Sequence, residues 1–174
     1  PSGTAPSGTP APIPAQPQKP YPESDPVKQA MQASPVVRQR SLPSDEQGRN
    51  RSYIVELQDG TTGVYKPHDG ELAGIRTTVD DRYFTREAAA SAIADAIGLG
   101  DLVPPTTIRT VGSTQGSIQK FVDDAKTAAG FVSESDVDIP AAAYGNNPED
   151  VNRAALFDYL TGNSDRHLGN WMVT

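Results

Sequence analysis

The sequence predicts an α+β fold preceded by an extended N-terminal segment. Short apolar segments rich in β-branched residues are separated by glycine-containing turns, which is the pattern of strands and hairpins. Two longer segments have the apolar spacing and the capping residues of helices. Along the chain, the predicted order is strand, strand, helix, strand, strand, connector, helix, loop and strand.

Residues 1–44 are predicted to be a disordered linker or tail. Of the 16 prolines, 11 fall in the first 50 residues, where Ser, Gly, Ala and Gln are also frequent and aromatic side chains are almost absent. Such a segment cannot bury enough apolar surface to offset the entropy lost on folding. We therefore expect residues 1–40 to contribute no core, and at most a short docked piece at Val36, Val37 and Leu42.

The negative charge of the chain lies in its later part. Residues 51–174 hold ten basic and eighteen acidic side chains, or −8, while the first 50 residues hold five basic and four acidic, or +1. An acidic surface argues against binding nucleic acid through its phosphates and against docking on anionic lipid by charge. The chain has no cysteine and no apolar run long enough for a transmembrane segment, and we expect a cytoplasmic protein.

The first predicted hairpin pairs Tyr53–Leu57 with Val64–Lys66. An Asp-Gly dipeptide between the two strands supplies turn chemistry. Pro67 ends the second strand because proline has no N–H for the hydrogen-bond ladder. Residues 68–84 are predicted to be an irregular connection.

The segment Thr85–Ile97 is the first predicted helix. Thr85 can cap its N-terminus, alanines fill its interior, and Gly98 suits the position that follows its C-terminus. The buried face of this helix is expected to consist of the apolar residues at helical spacing, which are Ala90, Ile93, Ala94 and Ile97.

The next two strands are predicted at Thr106–Val111 and Ser117–Val122, joined by a turn over Gly112–Gly116. After an ambiguous connector, the second helix is predicted over Pro148–Leu160, where proline suits the first position. Apolar residues surround most of its circumference, so we expect it to be largely buried. Gly162 ends this helix and leads into a polar loop.

That polar loop, Asn163–Asn170, has the spacing D-x-x-x-x-N between Asp165 and Asn170. This spacing suits phosphoryl transfer, in which an acid orients a hydroxyl nucleophile and an amide oxygen holds a metal on the phosphates. The loop also contains His167.

Upstream residues fit the same chemistry. A strand lysine, Lys66, can reach phosphates if a carboxylate on a neighbouring helix holds it in place. Glu87 lies in the first turn of the first helix, on the face of its apolar residues, and suits that partner. The backbone at the end of the fourth strand, at Lys120, Phe121 and Val122, can form hydrogen bonds with a purine ring.

Each of these residues also has an ordinary structural role. A strand lysine is usually a solvated edge charge, and a carboxylate in a first turn favours the helix dipole by about 0.3–1 kcal/mol. A lone histidine such as His167 is more often structural than a ligand. We reject a zinc site because no partners stand at ligand spacing. The order of all four features along the chain nevertheless favours phosphoryl transfer.

With these residues in this order, the chain resembles the phosphatidylinositol 3-/4-kinase-like superfamily, in particular its bacterial and phage branch. The resemblance covers about residues 45–174 and rests on five motifs: Gly63-Val-Tyr-Lys-Pro67, Arg86-Glu87, Ile97-Gly98, Val103-Pro-Pro-Thr106 and Ser164-Asp-Arg-His-Leu-Gly-Asn170.

The resemblance implies a protein-kinase-like fold with ATP and Mg²⁺ or Mn²⁺ as cofactors. Residues 45–123 would form the small lobe, an antiparallel sheet plus one helix, and residues 124–174 the start of a helical large lobe. The functional residues of the family map onto Lys66, Glu87, Asp165 and Asn170, and we count His167 with the catalytic loop. The segment before the first strand is poorer in small residues than the phosphate-covering loop of the family.

The family places a second metal-binding aspartate after this loop, and no such residue follows before Thr174. We therefore expect the chain to be a piece of a longer protein and to be inactive alone, with the rest of the parent chain completing the large lobe. The acceptor could be a protein or a lipid hydroxyl. Two alternatives stay open: a degenerate kinase fold used as a structural or regulatory module, and a transferase that moves AMP.

Overall fold

The computed structural model describes residues 25–42, 50–71, 82–130, 148–164 and 166–173. Within these ranges the chain has an α+β fold, as the sequence predicted. The helices are α1 (Pro26–Ala33), α2 (Tyr83–Ala96) and α3 (Pro148–Thr161). The strands are β1 (Val36–Ser41), β2 (Tyr53–Leu57), β3 (Thr62–Pro67), β4 (Thr106–Val111), β5 (Thr114–Lys120), β6 (Lys126–Thr127) and β7 (Met172–Val173).

A five-stranded antiparallel sheet organises the fold. Its strand order is β1-β2-β3-β5-β4, so β3 is the central strand. The short strands β6 and β7 form a separate antiparallel pair. No helix in the described part of the chain has both the length and the apolar character needed to cross a membrane.

The expectation that residues 1–40 contribute no core is wrong for the described residues 25–42. Asp25 caps α1 by accepting a hydrogen bond from the backbone N–H of Val27 at 2.8 Å, and Pro26 begins the helix. Met31 is fully buried, and β1 pairs with β2. The predicted tail at 1–44 therefore includes folded elements. The average composition of that segment gave no indication of this short helix, because its buried residue Met31 contacts strands that lie far along the chain.

The main core lies between α1 and one face of the sheet. Met31 packs there with buried side chains of the three central strands, which are Val55, Leu57, Tyr65 and Ile118. Residues alternate between the two faces along a strand, so a buried Tyr65 directs its neighbour Lys66 to the opposite face. Because Tyr65 lies on the face that packs against α1, Lys66 lies on the face that packs against α2.

Both predicted hairpins are present, but their turns differ in length from the prediction. Strands β2 and β4 have the predicted bounds. The turn between β4 and β5 contains only Gly112 and Ser113, because Val111 pairs directly with Thr114. Gly112 has a positive φ of 62°, which a two-residue hairpin turn requires and glycine adopts without strain. Strand β5 consequently begins earlier than predicted and ends at Lys120.

Helix α2 exists as predicted, but its start and its buried face differ. It begins at Tyr83, and the hydroxyl of Thr85 donates to the Arg82 carbonyl rather than capping the helix. The buried positions are Phe84, Ser91 and Ala94. The predicted core residues Ile93 and Ile97 are 37% and 42% exposed. The helix packs with its serine and alanine side toward the sheet because small residues permit a close approach.

Helix α3 is less buried than its composition predicted. Ala154 and Phe157 are buried, and Phe157 packs with Ala94 and Leu99 at the C-terminal end of α2. By contrast, Leu156, Tyr159 and Leu160 are 53%, 84% and 49% exposed. The apolar residues surround α3, but in the described part of the chain only one side of it is covered.

Candidate functional site

The sequence predicted that Lys66 and Glu87 face each other, and the structure confirms this pairing. Lys66 Nζ on β3 lies 2.8 Å from Glu87 Oε1 on α2. Glu87 falls on the buried stripe of α2, between Phe84 and Ser91 at helical spacing. The two side chains are 30% and 33% exposed, so the pair is partly desolvated while the lysine remains accessible.

The second oxygen of the Glu87 carboxylate is held by Ser117, a residue to which sequence reasoning assigned no role. Ser117 Oγ donates to Glu87 Oε2 at 2.6 Å, and Ser117 is fully buried. Its Cα lies directly opposite that of Lys66 in the β3–β5 register. The carboxylate therefore bridges neighbouring side chains on two central strands. The register of β5 against β3 was the signal that could have identified Ser117.

Gly116 allows β3 and β5 to approach closely at this point. A Cβ added to Gly116 would fall on the carbonyl oxygen of Lys66 and 2.8 Å from the Cα of Pro67. These are backbone atoms, so a larger residue would displace the strand that carries the lysine. The glycine is required by close packing and not by a turn.

The start of α2 is fixed by Glu71, which sequence reasoning placed in an irregular connection. Its carboxylate accepts hydrogen bonds from the backbone N–H groups of Tyr83 at 3.1 Å and Phe84 at 2.6 Å. His68 Nδ1 lies 3.1 Å from Glu71 Oε2, and the His68 ring is 5.5 Å from that of Phe84. The end of β3 is thereby tied to the helix that carries Glu87.

The segment predicted to bind a purine ring is partly committed to the sheet. The N–H of Lys120 donates to the Pro105 carbonyl at 2.8 Å, and the N–H of Phe121 donates to the Thr62 carbonyl at 2.9 Å. Val122 lies beyond the end of β5, although the sequence placed it in the strand. Purine binding in this segment would therefore have to use carbonyl groups or donors from Val122 onward.

The polar loop is anchored to α3 by an ion pair between Asp158 and Arg166. Arg166 donates through Nε at 2.8 Å and through a terminal nitrogen at 2.6 Å to the two carboxylate oxygens. Asn163 also donates to Asp158, at 2.8 Å. The hydrogen bonding between Arg166 and Asp158 lowers the pKa of Asp158 and raises the pKa of Arg166, because it stabilises the charged form of each group. Sequence reasoning assigned a role to neither residue of the pair.

Two predicted site residues, His167 and Asn170, bond to one another in this loop. The N–H of His167 donates to Asn170 Oδ1 at 3.0 Å, and the N–H of Gly169 donates to His167 Nδ1 at 3.0 Å. His167 therefore closes a turn. One acceptor position of the Asn170 amide oxygen, the predicted metal ligand, is occupied by this backbone donor. Asp165 lies outside the described residues.

The far end of the loop is held by the β6–β7 pair. Ala128, which is buried, donates its N–H to the Trp171 carbonyl at 2.7 Å. The guanidinium carbon of Arg166 lies 5.4 Å from the centroid of the Trp171 ring, within range of a cation–π contact. The loop is thus fixed at both ends, and between these contacts His167 and Asn170 are exposed.

We expect Asp158→Asn to reduce the free energy of unfolding by about 1–2 kcal/mol at pH 7, because hydrogen bonds to charged groups contribute about 1.5–3 kcal/mol and solvent weakens this partly exposed pair. Because the folded state lowers the pKa of Asp158 from 3.8, this contribution is present above that value and is lost as the pH falls through the lowered folded-state pKa. Urea unfolding of both proteins between pH 7 and pH 3 measures the difference.

The matched control is Asp101→Asn, because Asp101 pairs with Arg153 at 2.6 Å but is 62% exposed. That variant should have nearly the same free energy of unfolding as the wild type at every pH, because an ion pair this exposed contributes little to stability. A difference for Asp158→Asn that stayed constant down to pH 3 would contradict the assignment.

The described residues place a lysine cation at Lys66 and an amide group at Asn170, but they do not form a complete metal site. They contain no group of three His, Asp or Glu side chains placed to hold a metal ion. Magnesium is commonly held by one or two carboxylates together with substrate phosphates and water, so Asn170 could serve only as part of a larger set. Neither the protein-family models nor the curated proteins searched match this chain.

Proposed function

We propose that the chain carries the ATP-binding lobe and catalytic loop of an ATP-dependent phosphotransferase similar to phosphatidylinositol 3-/4-kinases. The observation that carries this proposal is the 2.8 Å pair of Lys66 and Glu87, with Ser117 on the second carboxylate oxygen. Phosphoryl transfer relies on positioned cations around the phosphates, and this arrangement positions a lysine.

The position of Lys66 argues against an ordinary surface charge. It lies on β3, the central strand, and its side chain points to the face covered by α2. A lysine at a sheet edge is normally stabilised by water alone, whereas Lys66 is paired with a carboxylate that a buried serine also holds. Because Lys66 remains 30% exposed, its ammonium group can bind a phosphate oxygen while Glu87 limits its motion.

In this proposal the polar loop supplies the groups that act on the acceptor and the metal. Asp165 orients the attacking hydroxyl, and Asn170 contributes its amide oxygen to Mg²⁺ or Mn²⁺ bound to the phosphates. Lys120, Phe121 and Val122 border the purine. The acceptor is a protein or lipid hydroxyl. The net charge of −8 over residues 51–174 favours a protein acceptor over an anionic membrane surface.

A second candidate function is a structural or regulatory module with a kinase-like fold. The observation that favours it is the hydrogen bond from the His167 N–H to Asn170 Oδ1, which uses part of the coordinating capacity of that oxygen. The intact Lys66–Glu87–Ser117 arrangement counts against it, since a module without nucleotide would not require it.

The test is Lys66→Met, measured as the affinity for a fluorescent ATP analogue with magnesium. We expect the dissociation constant to rise roughly 10- to 150-fold, which corresponds to the loss of charged hydrogen bonds worth about 1.5–3 kcal/mol. The matched control is Arg38→Met, which removes a cation that is 70% exposed on the edge strand β1 and should leave the affinity unchanged.

An unchanged affinity in Lys66→Met would reject the assignment of this lysine. Absence of nucleotide binding in the wild type would favour the structural module. Where transfer is observed, ATP labelled at the α- or the γ-phosphate separates AMP transfer from kinase activity, because the label reaches the acceptor from only one of the two positions.

A further inference from the structure

We infer that helix α2 is locked against the sheet by contacts of the protein itself, with Ser117 as the residue that positions Glu87, so that the Lys66–Glu87 pair is assembled before nucleotide binds. This inference rests on the proposed function for its meaning. The locking itself is a property of the fold and can be tested without nucleotide. It is carried by four contacts distributed along the length of α2.

The first contact holds the N-terminus of α2. The Glu71 carboxylate, whose side chain is 5% exposed, accepts from the N–H groups of Tyr83 and Phe84. The first N–H groups of a helix have no partner within the helix, so this carboxylate satisfies two of them and complements the positive end of the helix dipole. Glu71 follows β3 closely, which fixes the helix start relative to the strand of Lys66.

The second and third contacts hold the middle of α2 against two different strands. Ser117 on β5 donates to Glu87 Oε2 at 2.6 Å. One turn later, the hydroxyl of Ser91 accepts from the N–H of Thr106, the first residue of β4, at 3.0 Å. Ser91 and Ser117 are 1% and 0% exposed, so neither hydroxyl could exchange its partner for water without local opening.

The fourth contact holds the C-terminal end of α2 from the opposite side of the sheet. Lys28 on α1 reaches Asp95 Oδ2 at 2.5 Å. The Lys28 side chain is 1% exposed, while that of Asp95 is 44% exposed. A buried lysine that lost this carboxylate would be left without its charge partner, which is strongly unfavourable. The segment predicted to be a tail thus contributes an anchor for α2.

These contacts come from four separate elements, and moving α2 outward would break several of them together. Displacement of Glu87 would also leave the buried hydroxyl of Ser117 without its acceptor. Many switches work by a helix that alternates between two positions, and such a switch requires both positions to be of similar free energy. The arrangement around α2 favours one position, so the lysine is held in place independently of ligand.

The test measures the position of α2 by the distance between two spin labels. The chain has no cysteine, so Ala89→Cys on α2 and Ser41→Cys on β1 give a specifically labelled pair at two exposed positions. We expect a single narrow distance distribution that is the same with and without magnesium and ATP. Two populations, or a shift on adding nucleotide, would overturn the inference.

Variants at Ser117 in the same labelled protein test its positioning role. Ser117→Ala should produce a second distance population, and Ser117→Thr, which keeps the hydroxyl, should restore the single one. Ser52→Ala is the matched control, because it removes a buried serine hydroxyl that donates to the Asn50 carbonyl and not to a residue of α2. A Ser117→Ala distribution identical to that of the wild type would show that Ser117 does not position the helix.

If Ser117→Ala fails to fold, Glu87→Ala removes the same hydrogen bond from a side chain that is 33% exposed, and it should give the same second population. Nucleotide affinity provides a separate result. If α2 occupies its position for only about a tenth of the time in Ser117→Ala, the apparent dissociation constant rises about tenfold. If the wild-type protein binds no nucleotide but shows a single label distance, the proposed function is wrong, while the inference that α2 is locked still stands.

Discussion

Replacing Asp165 by alanine is expected to lower the phosphoryl-transfer turnover by on the order of 10²- to 10⁴-fold, the usual contribution of a positioned acid–base group. In the proposed mechanism Asp165 orients the acceptor hydroxyl and accepts its proton as the oxygen bonds to the γ-phosphorus, while the bond from that phosphorus to the bridging oxygen breaks and ADP leaves. The neighbouring Arg166 is fixed by its two hydrogen bonds to Asp158, so the described residues that follow position 165 should keep their arrangement in the variant.

The affinity for ATP should change little in Asp165→Ala, since the nucleotide is assigned to Lys66 and to the end of β5. The comparison is made by measuring phosphoryl transfer from γ-labelled ATP in the longer parent protein, which is expected to be active. Asp101→Ala is the control, because it removes a carboxylate that is 62% exposed and has no assigned role in the site. Equal turnover in Asp165→Ala and the wild type would remove Asp165 from the mechanism and strengthen the case for a structural module.

Replacing Met31 by alanine is expected to reduce the free energy of unfolding by about 2–5 kcal/mol, the range found for large-to-small changes in cores. Met31 is 0% exposed and packs with Val55, Leu57, Tyr65 and Ile118. A loss of this size would be a large part of the stability of a small domain. Urea unfolding at pH 7 provides the measurement.

The control for Met31→Ala is Val37→Ala in the same N-terminal part of the fold. Val37 is 61% exposed on the edge strand β1, so the change should stay within about 0.5 kcal/mol. If Met31→Ala lowered the free energy of unfolding as little as Val37→Ala, α1 would not be part of the core. The sequence-based expectation of a tail without core residues would then stand. The same result would also remove the Lys28 anchor from α2.

The outcome for α1 shows how composition can mislead. A proline-rich stretch of 44 residues has an average that predicts no fold, yet Asp25 and Pro26 give a regular helix start. Met31 is the one apolar side chain of that helix that is fully buried, and only Val27 packs beside it, which is too weak a periodic signal to recognise among so many polar residues. The strands onto which it packs lie more than twenty residues further along the chain.

Local patterns of residues were sufficient to predict several elements of the fold. They predicted the bounds of β2 and β4, the existence of α2 and α3, and the orientation of Lys66 and Glu87 toward each other. Period-two and period-3.6 patterns, prolines and turn glycines act over a few neighbouring residues, so a single segment contains the information needed to recognise them.

Contacts between segments that are distant in the chain could be identified only in the folded structure. Ser117 meets Glu87 through the register of β5 on β3, and Glu71 reaches the start of α2 across the connection that follows β3. Register and helix placement depend on which side chains fill the core together, and a one-residue slip would exchange the two faces of a strand. Packing of the whole domain therefore determined how the Lys66–Glu87 pair is held, although local pattern had indicated the two residues that form it.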